Sequence, residues 1–319
     1  MKSAAQPLRD RSVLVTGGSG FIGSHLARAV LGRGARRAVL LDRREQDPSR
    51  CAGEVEFVRF ELGRDPLADL VRHLEGIELL FHLAAEKHSQ EQPDPERVLR
   101  ANVLGTQALL LAAVEARVRK VVFTSSVYAY GRMSGAPMDE AEVPRPTTAY
   151  GVSKLTGEHL VEQARLAHGL PGVSLRFFFV YGPGQDAGRG YRTVIVRNFE
   201  RLRRSEPPTV YGDGRQTLDY VYVDDVVEAA LLAMERDVSG LTLNVGSGVG
   251  TPVGALLDAM IATAGSRASK EYLPPDATAG SSRVARIDRA RQALGWAPST
   301  SLDDGLRRTW ASLQEACPA

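Results

Sequence analysis

Residues 12–23 read Ser12-Val13-Leu14-Val15-Thr16-Gly17-Gly18-Ser19-Gly20-Phe21-Ile22-Gly23. Ser12–Thr16 is a short apolar run of the kind that forms a buried strand. It passes straight into glycines, and helical spacing follows over Phe21–Leu31. Gly17, Gly20 and Gly23 recur at every third position. Small residues there let the backbone approach a pyrophosphate, and the helix start offers N–H donors and the positive end of its dipole. The next apolar run, Ala38–Leu41, ends at Asp42, about 20 residues further on, where a carboxylate accepts from an adenosine ribose hydroxyl. This unit predicts a dinucleotide site with Gly17, Gly20, Phe21, Ile22, Gly23 and Asp42 against the cofactor. Asp42 repels a 2′-phosphate and favours NAD. The adjacent Arg43 and Arg44 are either partners for such a phosphate or solvated charge.

Outward from this unit the pattern repeats. Val55–Phe60, Leu79–Leu83, Lys120–Thr124 and Val173–Phe179 read as strands, and Arg97–Ala116 and Ala149–His168 as long helices. Uninterrupted apolar strands alternating with helices specify a parallel sheet covered on both faces. The later part is mixed: helices over Thr193–Arg203, Val223–Met234, Val253–Gly265, Asp288–Leu294 and Leu302–Gln314, strands over Thr209–Tyr211 and Leu241–Val245, and an irregular Gly280–Val284. The expected class is α/β: a Rossmann-type doubly wound parallel sheet with a smaller mixed α/β C-terminal substrate-binding region. Residues 1–10 read as a disordered tail, 11–179 as the NAD-binding domain with 209–245 partly returning to it, and 180–319 as mainly the substrate-binding region.

Composition narrows the class. With 319 residues and 43% hydrophobic content, one large domain or two intimate ones fit. Lys+Arg of 40 against Asp+Glu of 38 leaves a net charge of +2, no footprint for a nucleic-acid partner. Cys51 and Cys317 are too few for a disulfide scaffold, and the histidines show no metal-ligand spacing. No run approaches the roughly 20 apolar residues of a membrane span, and Met1–Asp10 has no apolar leader core. The expectation is a cytoplasmic protein with no metal, nucleic-acid or membrane partner.

Tyr150-Gly151-Val152-Ser153-Lys154 opens a long helical pattern and puts a phenol and an ammonium on one face. A lysine beside a phenol stabilises phenolate and pulls its pKa from about 10 toward neutrality, which makes Tyr150 a candidate general base. Thr124-Ser125-Ser126 ends a strand upstream, and a hydroxyl there can bond both a substrate oxygen and the tyrosine.

Gly-Gly-Ser-Gly-Phe-Ile-Gly at 17–23, His82-Leu83-Ala84-Ala85, Asn102-Val103-x-Gly105-Thr106, Thr124-Ser125-Ser126, Tyr150-x-x-x-Lys154 and Val180-Tyr181-Gly182-Pro183 follow in that order. Asp224-Asp225 and Leu294-Gly295-Trp296 come later. Over nearly all of 11–316 the chain resembles the extended short-chain dehydrogenases/reductases of the NAD-dependent sugar epimerase/dehydratase family. The resemblance implies Ser126 as the catalytic hydroxyl, Tyr150 as acid/base and Lys154 as its partner and a ligand of the nicotinamide ribose. It places Glu61 and Leu62 at the adenine, and Leu83, Ala84 and Ala85 along the phosphates. Lys87, Thr124 and Arg43 fall beside the cofactor. Asn102 is given a structural or cofactor-supporting hydrogen bond. It also implies a homodimer through the helices Arg97–Ala116 and Ala149–His168.

Family dehydratases carry Asp-Glu after the catalytic hydroxyl; Val127 and Tyr128 stand here, so the proton transfers of dehydration lack their groups. The expected activity is epimerisation of a nucleotide-activated hexose or uronic acid at C4 through a transient 4-keto sugar. The alternatives are an NAD(P)H-dependent keto-sugar reductase and a non-catalytic dinucleotide-binding protein. The substrate half departs from the family. Phe179 replaces an Asn that contacts the sugar nucleotide, Leu218 replaces an Arg that pairs with the diphosphate, and the Arg-Pro-Gly-Asp stretch is missing near Leu273-Pro274-Pro275-Asp276. Arg283 and Arg215 are the leading substitutes, ahead of Arg189 and Arg192. Tyr128, Phe179 and Lys87 are further candidates to touch the sugar, and His88 lies close to the site in the family pattern.

Overall fold

The computed structural model describes residues 8–45, 55–87, 94–131, 137–185, 193–275 and 280–315. In chain order the first half runs β1 (Ser12–Thr16), α1 (Phe21–Gly32), β2 (Arg37–Asp42), β3 (Val55–Arg59), α2 (Leu67–Leu74), β4 (Leu79–His82), α3 (Pro95–Leu99), α4 (Gly105–Glu115), β5 (Lys120–Ser126), α5 (Ala149–His168) and β6 (Gly172–Phe177). The second half runs β7 (Phe179–Tyr181), α6 (Val194–Arg203), β8 (Thr209–Tyr211), β9 (Thr217–Tyr222), α7 (Val223–Glu235), β10 (Thr242–Val245), β11 (Gly250–Pro252), α8 (Val253–Thr263), β12 (Glu271–Leu273), β13 (Ser282–Arg283), α9 (Asp288–Leu294) and α10 (Leu302–Glu315).

Seven parallel strands form the main sheet in the order β10-β6-β5-β4-β1-β2-β3. Successive β1 residues serve opposite faces, as the pleat requires. Val13 and Val15 pack into one apolar layer with Leu26, Val30 and Leu40, whereas Leu14 joins Leu70, Leu80 and Leu109 in the other. Both faces are therefore dry, which is why the strands read as unbroken apolar runs. The strand order reverses between β1 and β4, and a crevice opens at the strand C-termini at such a switch point. A small sheet of β7, β9, β11 and β13, and the pair β8–β12, lie on the C-terminal side of this crevice's sequence.

Four sequence expectations are corrected. Leu8 is 0% exposed and packs with the core, and Asp10 N–H bonds Gly34 O at 2.9 Å, so residues 8–10 belong to the fold and not to a tail. The strand expected over Val173–Phe179 divides at Phe178, where the chain leaves the main sheet and Phe179–Tyr181 pairs with β9. The helix expected over Arg97–Ala116 carries a π-helical turn, Arg100–Leu104. Its run Pro95–Glu115, 21 residues containing an 18-residue window of mean hydropathy 1.3, is long and apolar enough to cross a bilayer by length and composition alone; here it packs against α2 and α5. Gly280–Val284 is not irregular throughout: Ser282 and Arg283 pair in parallel with Thr217 and Leu218.

Candidate active site

Helix α5 sets the chemistry. Thr148 caps it, its Oγ1 accepting Gly151 N–H at 3.0 Å, so Tyr150 sits in the first turn and Lys154 one turn on. Two glycines let the helix approach β5. A Cβ on Gly151 would lie 2.3 Å from Tyr128 O, and one on Gly157 would lie 2.3 Å from the Phe123 ring. Tyr150 and Lys154 are thus pressed against the end of the strand that carries Ser126.

Ser126 faces the cleft beside Tyr150 and acts to lower the phenol's pKa, whereas the neighbouring Ser125 hydroxyl donates to Glu158 Oε1 at 2.5 Å inside the protein. Glu158 also takes a two-pronged pair from Arg176, at 2.8 and 2.7 Å. Geometry therefore separates two serines that adjacency in sequence cannot. Lys154 Nζ is buried, donates to Thr124 O at 2.7 Å and lies 5.7 Å from the Tyr150 ring centroid. Burial pushes its pKa down to about 7, against the opposing charge of Glu158. Burial likewise pushes Tyr150 up to about 12, with the Ser126 bond pulling the other way. Lys154 is not among the groups that move the Tyr150 pKa, and its nitrogen donates to the Thr124 carbonyl.

A cleft of about 1030 Å³ opens over these residues. Gly17 takes φ +69°, and a Cβ on it would meet Ala84 N at 2.7 Å; one on Gly23 would meet Gly17 O at 2.2 Å. This backbone cradle holds the Ser19 hydroxyl buried without a partner, a donor waiting for an acceptor in the loop where a pyrophosphate belongs. Gly17, Gly20, Phe21, Ile22 and Gly23 line the cleft. So do Asp42, Arg43, Glu61, Leu62, Leu83, Ala84, Ala85, Lys87 and Thr124. Burial raises the Asp42 pKa, opposed by N–H bonds from Arg44 and Ser19. Burial lowers that of Lys87. The groups fit a dinucleotide.

Beneath the cradle, His82 is fully enclosed. Thr106 Oγ1 donates to Asn102 O at 2.6 Å, so it can only accept from His82 Nε2 at 2.8 Å. The bare Nδ1 then accepts the Thr16 hydroxyl at 2.7 Å. The ring is neutral, and burial drives its pKa down to about 3.

On the substrate side Ser126, Tyr128, Phe179, Tyr150 and Lys154 line the cleft. Three expected site residues do not. Asn102 lies behind the wall: it accepts Glu86 N–H at 2.7 Å and donates to Ser153 Oγ at 3.0 Å, tying the Glu86 loop to α5. Arg215 points to solvent, its side chain 89% exposed beside Asp213, because it sits in the turn before β9. Arg283 does not line the cleft, but its guanidinium stacks over the Tyr128 ring at 5.2 Å. Arg189, Arg192 and His88 lie outside the described residues. The cleft also takes in Glu86, Arg97, Arg197, Tyr211 and Gln216, which sequence reading passed over.

A glycine-cradled cleft at the switch point of a doubly wound sheet, with a serine, a tyrosine and a lysine converging at its floor, defines a nucleotide-dependent oxidoreductase-type site. Residues 13–246 match the NAD dependent epimerase/dehydratase family, and the chain belongs to that family. Its cofactor is NAD. The chain is 35% identical over 305 residues to the UDP-glucose 4-epimerase of Mycolicibacterium smegmatis, covering 93% of this chain and 96% of that one. The solved UDP-glucose 4-epimerase of Thermotoga maritima, with UDP-glucose, superimposes with a TM-score of 0.89 at 32% identity, over 96% and 99% of the two chains. The Bacillus cereus UDP-glucuronic acid 4-epimerase, in complex with UDP-glucuronic acid and NAD, does so at 0.84 and 29% identity, over 96% and 100%.

Proposed function

We propose that the protein is an NAD-dependent epimerase of a UDP-linked hexose or uronic acid, acting at C4. The observation that carries this is Ser126, Tyr150 and Lys154 meeting at the floor of one cleft, with Lys154 Nζ 5.7 Å from the Tyr150 ring and only Val127 and Tyr128 where a dehydratase needs acids. The relatives named above support the sugar class. Bound NAD supplies a hydride acceptor and, on the return, its donor. Tyr150 takes the C4 hydroxyl proton and gives it back to the 4-keto oxygen. Ser126 donates to that oxygen as its charge develops. Lys154, buried 5.7 Å from the centre of the phenol ring, is its partner and would hold the nicotinamide ribose. Tyr128 and Phe179 supply the flat and apolar walls against which a sugar turns over.

In the same reading, 11–179 with the returning 209–245 holds the cofactor and 180–319 mainly holds the sugar nucleotide. Asn102 serves as a buried clamp. A homodimer through the helices Arg97–Ala116 and Ala149–His168 is part of it: Leu104 at 64% exposed and Leu111 at 40% on the first, and Val152 at 42% on the second, are exposed apolar side chains of the kind that partners cover. So is a cytoplasmic location, where pyridine nucleotide is available. The purified protein, with no NAD added, should interconvert UDP-glucose and UDP-galactose or UDP-glucuronate and UDP-galacturonate, and should release near-stoichiometric NAD on denaturation. Failure on both sugar pairs, with NADH consumed stoichiometrically on a 4-keto sugar, would replace the epimerase by a reductase. Light scattering at the monomer mass would remove the dimer.

A further inference from the structure

Resting on the nucleotide-sugar reading above, we infer that Arg197 is the cation that holds the substrate's diphosphate. The family position for that charge is Leu218, which is apolar and buried here, so the charge has to come from another element. Arg44 and Lys87 line the cleft beside Asp42 and Glu86 on the dinucleotide side, and the remaining cations are committed. Arg43 and Arg97 pair with Glu86, Arg64 with Glu61, Arg100 with Glu96, and Lys154 with the Thr124 carbonyl. Arg197 reaches the cleft from α6 with its Nε buried and unpartnered. Its guanidinium carbon stands 4.8 Å over the Tyr211 ring. Beside it, Gln216 donates through Nε2 to Tyr211 O at 2.9 Å, while its Oε1 is buried and unmet.

A buried guanidinium N–H without an acceptor is costly, and a planar fork of such donors matches phosphate oxygens two at a time. A cation, an unmet acceptor and an aromatic face at one end of the cleft are the groups a nucleoside diphosphate uses: two anionic phosphates, N–H donors on the base, and a flat ring. Arg283, stacked on Tyr128, does not line the cleft and does not supply this set.

Calorimetric titration of the NAD-loaded protein with UDP and with uridine tests the assignment. Arg197→Gln should weaken UDP binding by about tenfold or more and leave uridine unchanged. Arg197→Lys should recover part of the loss, and Arg283→Gln should leave UDP binding near the wild-type value. Retained NAD content and Tm report that each variant is folded. An Arg197→Gln protein that binds UDP as the wild type does, or that loses uridine to the same extent, overturns the assignment alone. A wild-type protein that binds neither UDP nor a UDP-sugar overturns the nucleotide-sugar reading and the assignment with it.

Discussion

Arg43 Nη1 lies 2.6 Å from Glu86 Oε2, and the same oxygen is 3.2 Å from Arg97 Nε. The cation that follows Asp42 is therefore turned toward the β4 loop, where it shares the Glu86 carboxylate with Arg97. A 2′-phosphate would meet the Asp42 and Glu86 carboxylates together. Glu86→Gln should free Arg43 and raise the affinity for NADPH relative to NADH by about tenfold, the worth of one charge-assisted contact. Fluorescence titration of the cofactor-stripped protein reads that ratio; an unchanged ratio would show that Arg43 plays no part in cofactor choice.

The two serines at the end of β5 should part company on mutation. Ser126→Ala should lower kcat with little change in stability, since its hydroxyl serves Tyr150. Ser125→Ala should leave the Glu158–Arg176 pair short of a buried donor and cost about 1–3 kcal/mol of stability, with kcat kept. Tyr150→Phe removes the proton carrier, a loss of about 10²–10⁴-fold or more, while NAD stays bound. Equal kcat losses in the two serine variants would contradict the separation.

His82 makes stability depend on acid. Its folded pKa, about 3, lies below the ordinary 6.5, so the unfolded chain binds the extra proton between those values. Stability is then lost as pH falls from about 6.5 toward 3, by at most about 1.4 kcal/mol per pH unit for one proton. Urea midpoints measured across this range should show a shallower slope in His82→Gln. Lys154 works from the other side. Its folded pKa, about 7, is below its ordinary 10.5, so the cofactor-free protein gains stability as pH rises from 7 toward 10, and Lys154→Met should abolish that gain.

Gly157→Ala would gain about 1 kcal/mol in helix propensity. Its Cβ would nevertheless sit 2.3 Å from the Phe123 ring, and overpacking of that kind costs about 1–3 kcal/mol. A net loss of stability is expected, recovered in part by Phe123→Leu. A Tm above wild type in the single variant would show that α5 is free to back away from β5.

The dinucleotide half was legible because its signals are local: the strand, the glycines and Asp42 follow one another in the chain and meet in space. The substrate half was not, because its walls are assembled from distant segments. Arg283 could be named from sequence, but not the pairing of Ser282–Arg283 with β9, a contact no local pattern announces. Asp219 makes the same point, for a carboxylate in a strand looks like a breaker until Ser247, Gly248 and Ala285 are found donating to it. Arg215 is a phosphate-binding residue type three positions before Leu218, yet the turn throws it outward. Arg197 was overlooked because an arginine on an amphipathic helix resembles ordinary solvated charge.

β10 completes the main sheet against β6 only after the chain has travelled through α6, β8, β9 and α7. A nascent chain that has emerged only as far as β6 presents an open strand edge, its N–H and C=O groups unpaired, for the whole time the next segments are being made. Such edges recruit other strands. The order of synthesis therefore leaves the growing molecule with a sticky flank until Val245 is delivered, and a protein shortened before that residue should be caught by chaperones or precipitate.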